Sequence, residues 1–277
     1  MNKKELRKIL QEEQLRPLKY LGQHFLLNEK ILNQIVETAD IKTNDVILEI
    51  GPGLGNLTEG LSKNSQEVIA IEKDKRLIAY LNNKFKSLSN IKIINADALK
   101  VEPPKLGLKN SGYKVVANIP YYLTSALLRK FLTVKAKPSL LVLLVQKEVA
   151  RRIIAREPGL NILALSVQFF GQPKIIQVVS KENFWPKPKV DSVILKIEVR
   201  KSEPNIAIEK IFFKLIRAGF AKKRKTLINS LTLSLKIPKN KILELLKSVN
   251  INPQVRAQEI PLNWWIKLAT KAKKSTL

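Results

Sequence analysis

Val46-Ile47-Leu48-Glu49-Ile50-Gly51-Pro52-Gly53-Leu54-Gly55 is a short apolar run that ends in an acid and a glycine-rich turn. A run of that length and composition reads as a buried strand, and the glycines mark a tight passage into a helix. Working outward, Glu67 to Ile71, Ile91 to Asn95, Lys114 to Asn118 and Leu140 to Gln146 repeat the pattern, each brief, rich in Val, Ile or Leu and bounded by polar residues. Helix-like stretches such as Asp74 to Lys86 and Leu123 to Leu132 lie between them. Strands that alternate with helices build βαβ units and a mainly parallel sheet covered on both faces. Lys174 to Val179 and Lys189 to Val199 flank the Pro-rich Asn183-Phe184-Trp185-Pro186-Lys187-Pro188, which predicts a β-hairpin at one end of the sheet. The expected fold class is α/β and Rossmann-like, with an antiparallel strand at one end.

The chain has 277 residues, 45% hydrophobic and 26% charged, enough for two domains with a sizeable core. Fifty Lys and Arg stand against 23 Asp and Glu, a net charge of +27 that argues for a polyanionic partner, nucleic acid above all. Residues 201–277 carry 17 basic and 4 acidic side chains, more than twice the charge density of residues 1–200. Helical stripes dominate that tail: Ile208, Ile211, Phe212, Leu215 and Ile216, then Leu227 and Leu231, then Ile242 to Leu246. The expected division is residues 1–200, with residues 1–20 a basic N-terminal extension, followed by a helical domain over 201–277, the boundary near Lys201-Ser202-Glu203-Pro204.

With no Cys, a disulfide framework, thiol catalysis and Cys-ligated metal sites are excluded, and the single His24 argues against a His-rich metal site or Ser-His-Asp catalysis. No metal is expected. The longest apolar run, Leu140 to Val145, is far shorter than the ~20 residues of a membrane helix. The start, MNKKELRKILQEEQ, is basic but lacks the apolar core of a secretory signal. A cytoplasmic protein is the expectation, and nothing demands more than a monomer.

The turn Glu49 to Gly55 lets the backbone approach a ligand closely. A nicotinamide dinucleotide fingerprint fails, because Asn56 stands where the third glycine belongs. Glu72, at the end of the second strand, can accept both hydroxyls of a ribose. Asp97, at the end of the third, can accept from the exocyclic amine of an adenine, although an Asx-turn also explains it. Glycine loop and two acids on three successive strand ends outline an adenosine site, where open α/β sheets place their ligands.

The fourth strand closes in Ala117-Asn118-Ile119-Pro120-Tyr121. This resembles the (Asp/Asn/Ser)-Pro-Pro-(aromatic) signature of methyltransferases that modify exocyclic amines of bases, and Ile119 shifts the match to the ribosomal RNA adenine dimethylases. Gly22-Gln23-His24-Phe25-Leu26, Gln146-Lys147-Glu148-Val149-Ala150 and the spaced Phe184, Pro186, Pro188, Val190 and Ser192 agree, as does the basic Lys222-Lys223-Arg224-Lys225-Thr226-Leu227. From about Tyr20 to the last helix the chain is similar to the S-adenosylmethionine-dependent ribosomal RNA adenine N6,N6-dimethyltransferases, the small-subunit branch in particular.

The resemblance implies a class I methyltransferase sheet and N6 dimethylation of two adjacent adenosines in a loop near the 3′ end of 16S rRNA in a small-subunit precursor. An adenine N6 lone pair is delocalised into the ring. The Asn118 side-chain oxygen and the Ile119 carbonyl would each accept one N6–H and localise that pair. Pro120 would stiffen the turn, and Tyr121 and Phe184 would stack on the flipped base. Gly51, Gly53, Glu72, Asp97 and Asn118 would bind S-adenosylmethionine, with His24 hydrogen-bonding on the cofactor side and Leu26 lining the pocket. Arg217 and the run Lys222, Lys223, Arg224 and Lys225 would track RNA phosphates. The competing readings are a large-subunit (23S) adenine dimethylase of the antibiotic-resistance type and a non-catalytic assembly or transcription factor on the same fold.

Overall fold

The computed structural model of the chain describes residues 2–18, 21–201 and 205–274. Tyr20 and the boundary residues Ser202, Glu203 and Pro204 fall outside them. In chain order the elements are α1 (Lys3–Glu12), β1 (Phe25–Leu26), α2 (Glu29–Thr38), β2 (Val46–Ile50), α3 (Asn56–Ser62), β3 (Glu67–Glu72), α4 (Lys75–Lys84), β4 (Ile91–Asn95), β5 (Tyr113–Asn118), α5 (Thr124–Thr133), β6 (Leu140–Gln146), α6 (Lys147–Ile153), α7 (Ile162–Phe170), β7 (Gly171–Val179), β8 (Phe184–Trp185), β9 (Ser192–Val199), α8 (Ile206–Phe220), α9 (Leu227–Leu235), α10 (Lys239–Lys247) and α11 (Leu262–Lys274). No described helix is long and apolar enough to cross a membrane.

Seven strands form one sheet in the order β4-β3-β2-β5-β6-β9-β7. The first five run parallel, and β9 and β7 close the end as the antiparallel hairpin the Pro-rich spacing predicts. Residues 140–145 of β6 are all buried, as expected of a strand with both faces covered. The strand order reverses between β2 and β5, which pair in register Ile50 to Ala117. At such a switch point the loops leaving the two strands diverge and open a crevice.

The chain separates into two compact units. The first holds residues 1–150 and 171–201, the second residues 151–170 and 202–277. The division therefore differs from the expected 1–200 and 201–277 over residues 151–170. The reason is apolar packing at the end of α7, where Phe169 stacks on Phe212 at 4.2 Å and Phe170 on Phe213 at 5.9 Å, both partners on α8. In the second unit the Trp265 ring is fully buried and occupies the space beside Gly219, where an added Cβ would come within 2.5 Å of it.

The segment expected as a basic extension is a docked helix over most of its length. Leu6 and Leu10 of α1, with Leu15, pack against Leu77, Leu81 and Phe85 from α4 and its end. Charged residues dominate its composition, yet Leu6, Ile9 and Leu10 share one face of the helix, and that stripe is what the fold packs inward.

Candidate active site

The glycine loop leaves β2 with three left-handed residues, Gly51 (φ +70°), Gly53 (φ +58°) and Gly55 (φ +75°), a backbone that side chains resist. At Gly53 space adds to conformation, because a Cβ there would sit 3.3 Å from the Phe25 ring. The Gly53 N–H donates to Glu72 Oε2 at 3.2 Å, and the Asp74 N–H to Oε1 at 2.8 Å. Each oxygen of this 6%-exposed residue thus accepts a backbone donor, and a carboxylate oxygen can accept more than one. Burial pushes the Glu72 carboxyl above its ordinary value, and the backbone N–H groups of Asp74, Gly53 and Lys73 pull it partly back.

Asp97 forms the Asx-turn that its position allows, accepting from Leu99 N–H at 3.0 Å, and its other oxygen pairs with Lys73 Nζ at 2.9 Å. The Lys73 hydrogen bond holds its carboxyl below the usual range. Glu72 and Asp97 border one cleft, together with the glycine loop, Asn118, Ile119, Pro120 and Tyr121. The two halves of the expected chemistry share a single crevice at the strand-order reversal.

Within it the Asn118 amide is oriented by its own hydrogen bond. Nδ2 donates to the His24 carbonyl at 3.2 Å, and Oδ1 has no partner among the described residues. His24 also donates from Nδ1 to the Pro186 carbonyl at 2.6 Å, and its ring stacks on Tyr121 at 5.7 Å. The Tyr121 hydroxyl is 2.8 Å from Ser192 Oγ, so ring and hydroxyl are both tethered. Gln23 ties the preceding segment to the site by donating to Asp74 at 3.0 Å. Leu26 borders the cleft and is buried.

Phe184 departs from expectation. Its side chain is 3% exposed and packs in the core with Leu26, Leu32, Val179 and Ile194, without bordering the cleft. The pairing of β8 with β1, Leu26 opposite Phe184, turns it inward. A ring in that position cannot stack on a flipped base without leaving the core. Beside Tyr121, the cleft is bordered by Tyr122, 57% exposed and packed beside Gly22. The sequence alone leaves open whether Tyr122 helps shape the pocket.

Glu49 is the second residue whose importance sequence reasoning passed over. It borders the cleft, is 1% exposed, and neither carboxylate oxygen has a hydrogen-bond partner. Burial pushes its carboxyl up to about 8. A lone acid inside an otherwise apolar strand was the available signal.

In the second unit Arg217 is exposed in the last turn of α8, and Lys222, Lys223, Arg224 and Lys225 follow in an exposed turn before α9. That turn keeps five cations in solvent within nine residues of chain.

Residues 16–274 match the family model described as ribosomal RNA adenine dimethylase. The chain is 46% identical over 256 residues to the ribosomal RNA small subunit methyltransferase A of Dehalococcoides mccartyi, covering 91% of this chain and 87% of that one. It is 39% identical over 274 residues to the protein of the same name from Clostridium botulinum, covering 97% and 98%. Among solved structures, a dimethyladenosine transferase from Plasmodium falciparum superposes with a TM-score of 0.79 at 28% identity, covering 91% and 98%. The 23S rRNA methyltransferase ErmE superposes at 0.72 with 26% identity, covering 89% and 98%. With a family model spanning nearly its whole length and relatives 39–46% identical over most of the chain, this chain belongs to the ribosomal RNA adenine dimethylase family.

Proposed function

We propose that the protein transfers methyl groups from S-adenosylmethionine to N6 of two adjacent adenosines in a loop near the 3′ end of 16S rRNA, during assembly of the small ribosomal subunit in the cytoplasm. The observation that carries this reading is the amide of Asn118. One of its N–H groups is given to the His24 carbonyl, which fixes the amide and leaves its oxygen available as an acceptor for a ligand. An amine that must be held by its hydrogens needs an acceptor at that point.

The residues present suit the donor. Glu72 offers a ribose diol carboxylate oxygens that can each accept more than one hydrogen bond, Asp97 stands at the next strand end for an adenine amine, and the left-handed glycine loop removes side chains from the floor. When bound, S-adenosylmethionine supplies an electrophilic methyl group on a sulfonium. The chain's task is then positioning. Asn118 Oδ1 and the Ile119 carbonyl accept the two N6 hydrogens and restore lone-pair character to nitrogen. Pro120, its φ fixed by the ring, stiffens the turn that aims that carbonyl. Tyr121, fixed by His24 and Ser192, forms one wall of the base pocket, and Tyr122 offers an exposed aromatic face at its mouth. Alignment of this kind removes a large share of a barrier without a strong base. Arg217 and Lys222 to Lys225 supply a salt-dependent, sequence-independent hold on RNA phosphates.

The small-subunit substrate rests on the names of the relatives with 39–46% identity, against 26% for the 23S enzyme. The test is to incubate the purified chain with labelled S-adenosylmethionine and unmethylated small ribosomal subunits, then digest the RNA to nucleosides. Label in N6,N6-dimethyladenosine is the expected result. Label only when large subunits are supplied would transfer the substrate to 23S rRNA, and none with either would leave a non-catalytic factor.

A further inference from the structure

Across the carboxyl edge of the sheet the order β4-β3-β2-β5 sets out Asp97, Glu72, Glu49 and Asn118 in succession. On the reading above, three of these four meet adenine, ribose and target amine. Glu49 has no assigned work. It is also the most conspicuous polar group in the fold, a fully buried carboxyl that borders the cleft with both oxygens unpartnered. A buried carboxylate without a partner is held either by taking up a proton or by receiving a cation.

The surroundings supply no such cation. From α3 the Thr58 hydroxyl is near enough to favour ionisation slightly, yet it too is buried without a hydrogen-bond partner. From β3 the Glu72 carboxylate opposes ionisation. From α4 the Lys84 ammonium contributes the least, being engaged by the Leu54 carbonyl at 2.9 Å and drawn toward Glu59 at 3.9 Å. Space for an outside cation exists only on the cleft side. Strands lie about 4.8 Å apart, so a donor whose ribose meets Glu72 and whose methyl group reaches toward Asn118 must cross β2 with its charged portion.

We propose that Glu49 is the counter-ion for a cationic group of the methyl donor, and that donor binding drives one proton from its carboxyl into solvent. The proposal rests on S-adenosylmethionine being the donor. In the free protein the carboxyl is neutral up to about pH 8. A cation delivered to it favours the ionised form, so affinity for the donor rises by up to tenfold per pH unit below that point; above it affinity levels off if the cation is the sulfonium, which does not titrate, and falls again if it is the α-ammonium, which then loses its own proton. S-adenosylmethionine carries two candidate cations, the sulfonium and the α-ammonium. Its demethylated product keeps only the second.

The experiment is isothermal titration of the full chain with S-adenosylmethionine at pH 6.5, 7.5 and 9, each in two buffers of different ionisation enthalpy. Close to one proton released at pH 6.5, falling toward none at pH 9, is expected. Glu49→Gln, isosteric and neutral, should bind without proton release and with an affinity indifferent to pH. Its melting curve at pH 6, where the native carboxyl is also neutral, checks the fold. Repetition with S-adenosylhomocysteine separates the two cations: release with both ligands assigns the ammonium, and release with S-adenosylmethionine alone assigns the sulfonium. Binding without proton release by the native chain overturns the proposal and leaves the donor reading intact. Equal release from Glu49→Gln also overturns it and moves the proton to Glu72. Absence of binding overturns both readings.

Discussion

The side-chain amide of Asn118 donates to the main-chain carbonyl of His24 at 3.2 Å, joining residues 94 apart in sequence. This contact decides which end of the amide faces the cleft. It also gives the Gly22-Gln23-His24-Phe25-Leu26 segment a physical reason to accompany Asn118-Ile119-Pro120-Tyr121, because one orients the other. His24 does this through its backbone while its ring braces Tyr121.

Asn118→Ala removes the acceptor and leaves the His24 carbonyl without its donor. Misplacing or losing one positioning contact costs about a hundredfold in rate, so methyl transfer should fall by at least that factor. RNA affinity should be nearly unchanged, since the cations proposed to track phosphates, Arg217 and Lys222 to Lys225, are elsewhere in the chain. A labelled-methyl assay alongside RNA binding measures both, and full turnover by the variant would remove Asn118 from the mechanism.

Glu72→Gln replaces an oxygen that accepts a backbone N–H with an amide nitrogen that faces it. A hydrogen bond to a charged group contributes about 1.5–3 kcal/mol, so S-adenosylmethionine affinity should weaken by roughly 10- to 150-fold. Calorimetric titration of the variant reads the change directly. Affinity equal to the native chain's would show that the ribose is held elsewhere.

Phe184 is buried in the core and Tyr122 is exposed at the cleft, so their variants should differ in kind. Phe184→Ala opens a cavity in the core and should cost about 3–5 kcal/mol of stability, visible in denaturant unfolding. Tyr122→Ala, at an exposed position, should leave stability within about 0.5 kcal/mol and lower methyl transfer instead. If base–aromatic stacking operates at the mouth of the cleft, the loss in substrate binding is about 1–3 kcal/mol. Native turnover by Tyr122→Ala would eliminate it as a stacking surface.

That contrast shows where the sequence was legible. The five parallel strands could be read to within a residue, because each is a brief run rich in Val, Ile or Leu bounded by polar residues. The strand-end residues Glu72, Asp97 and Asn118 followed, since chain connectivity alone sends them to one sheet edge. Phe184 was misread because a two-residue strand has no periodicity to announce which way its side chains turn, and its pairing with Leu26 is a contact 158 positions distant. Residues 151–170 were misassigned for a related reason: the partners of Phe169 and Phe170 lie on a helix more than forty residues later. Glu49 was passed over because its peculiarity is the absence of partners, which only the packed structure reveals.

Glu49 also imposes a pH dependence on the ligand-free fold. Its carboxyl ordinarily loses its proton near 4.5 and is held to about 8 by burial, so between those values the folded chain carries a proton that the unfolded chain has lost. Stability therefore falls as pH rises through that window and levels off above it. Glu72, also raised, adds a slope of the same sign, whereas the lowered Asp97 contributes stability that is lost at acid pH. Subtracting the melting curve of Glu49→Gln from that of the native chain, pH by pH from 5 to 9, isolates the first contribution. The variant should match the native chain near pH 5 and exceed it increasingly toward pH 8, with the gap constant beyond. A gap that stays flat across the range would mean that Glu49 is ionised in the folded chain from the start, with a compensating cation already beside it.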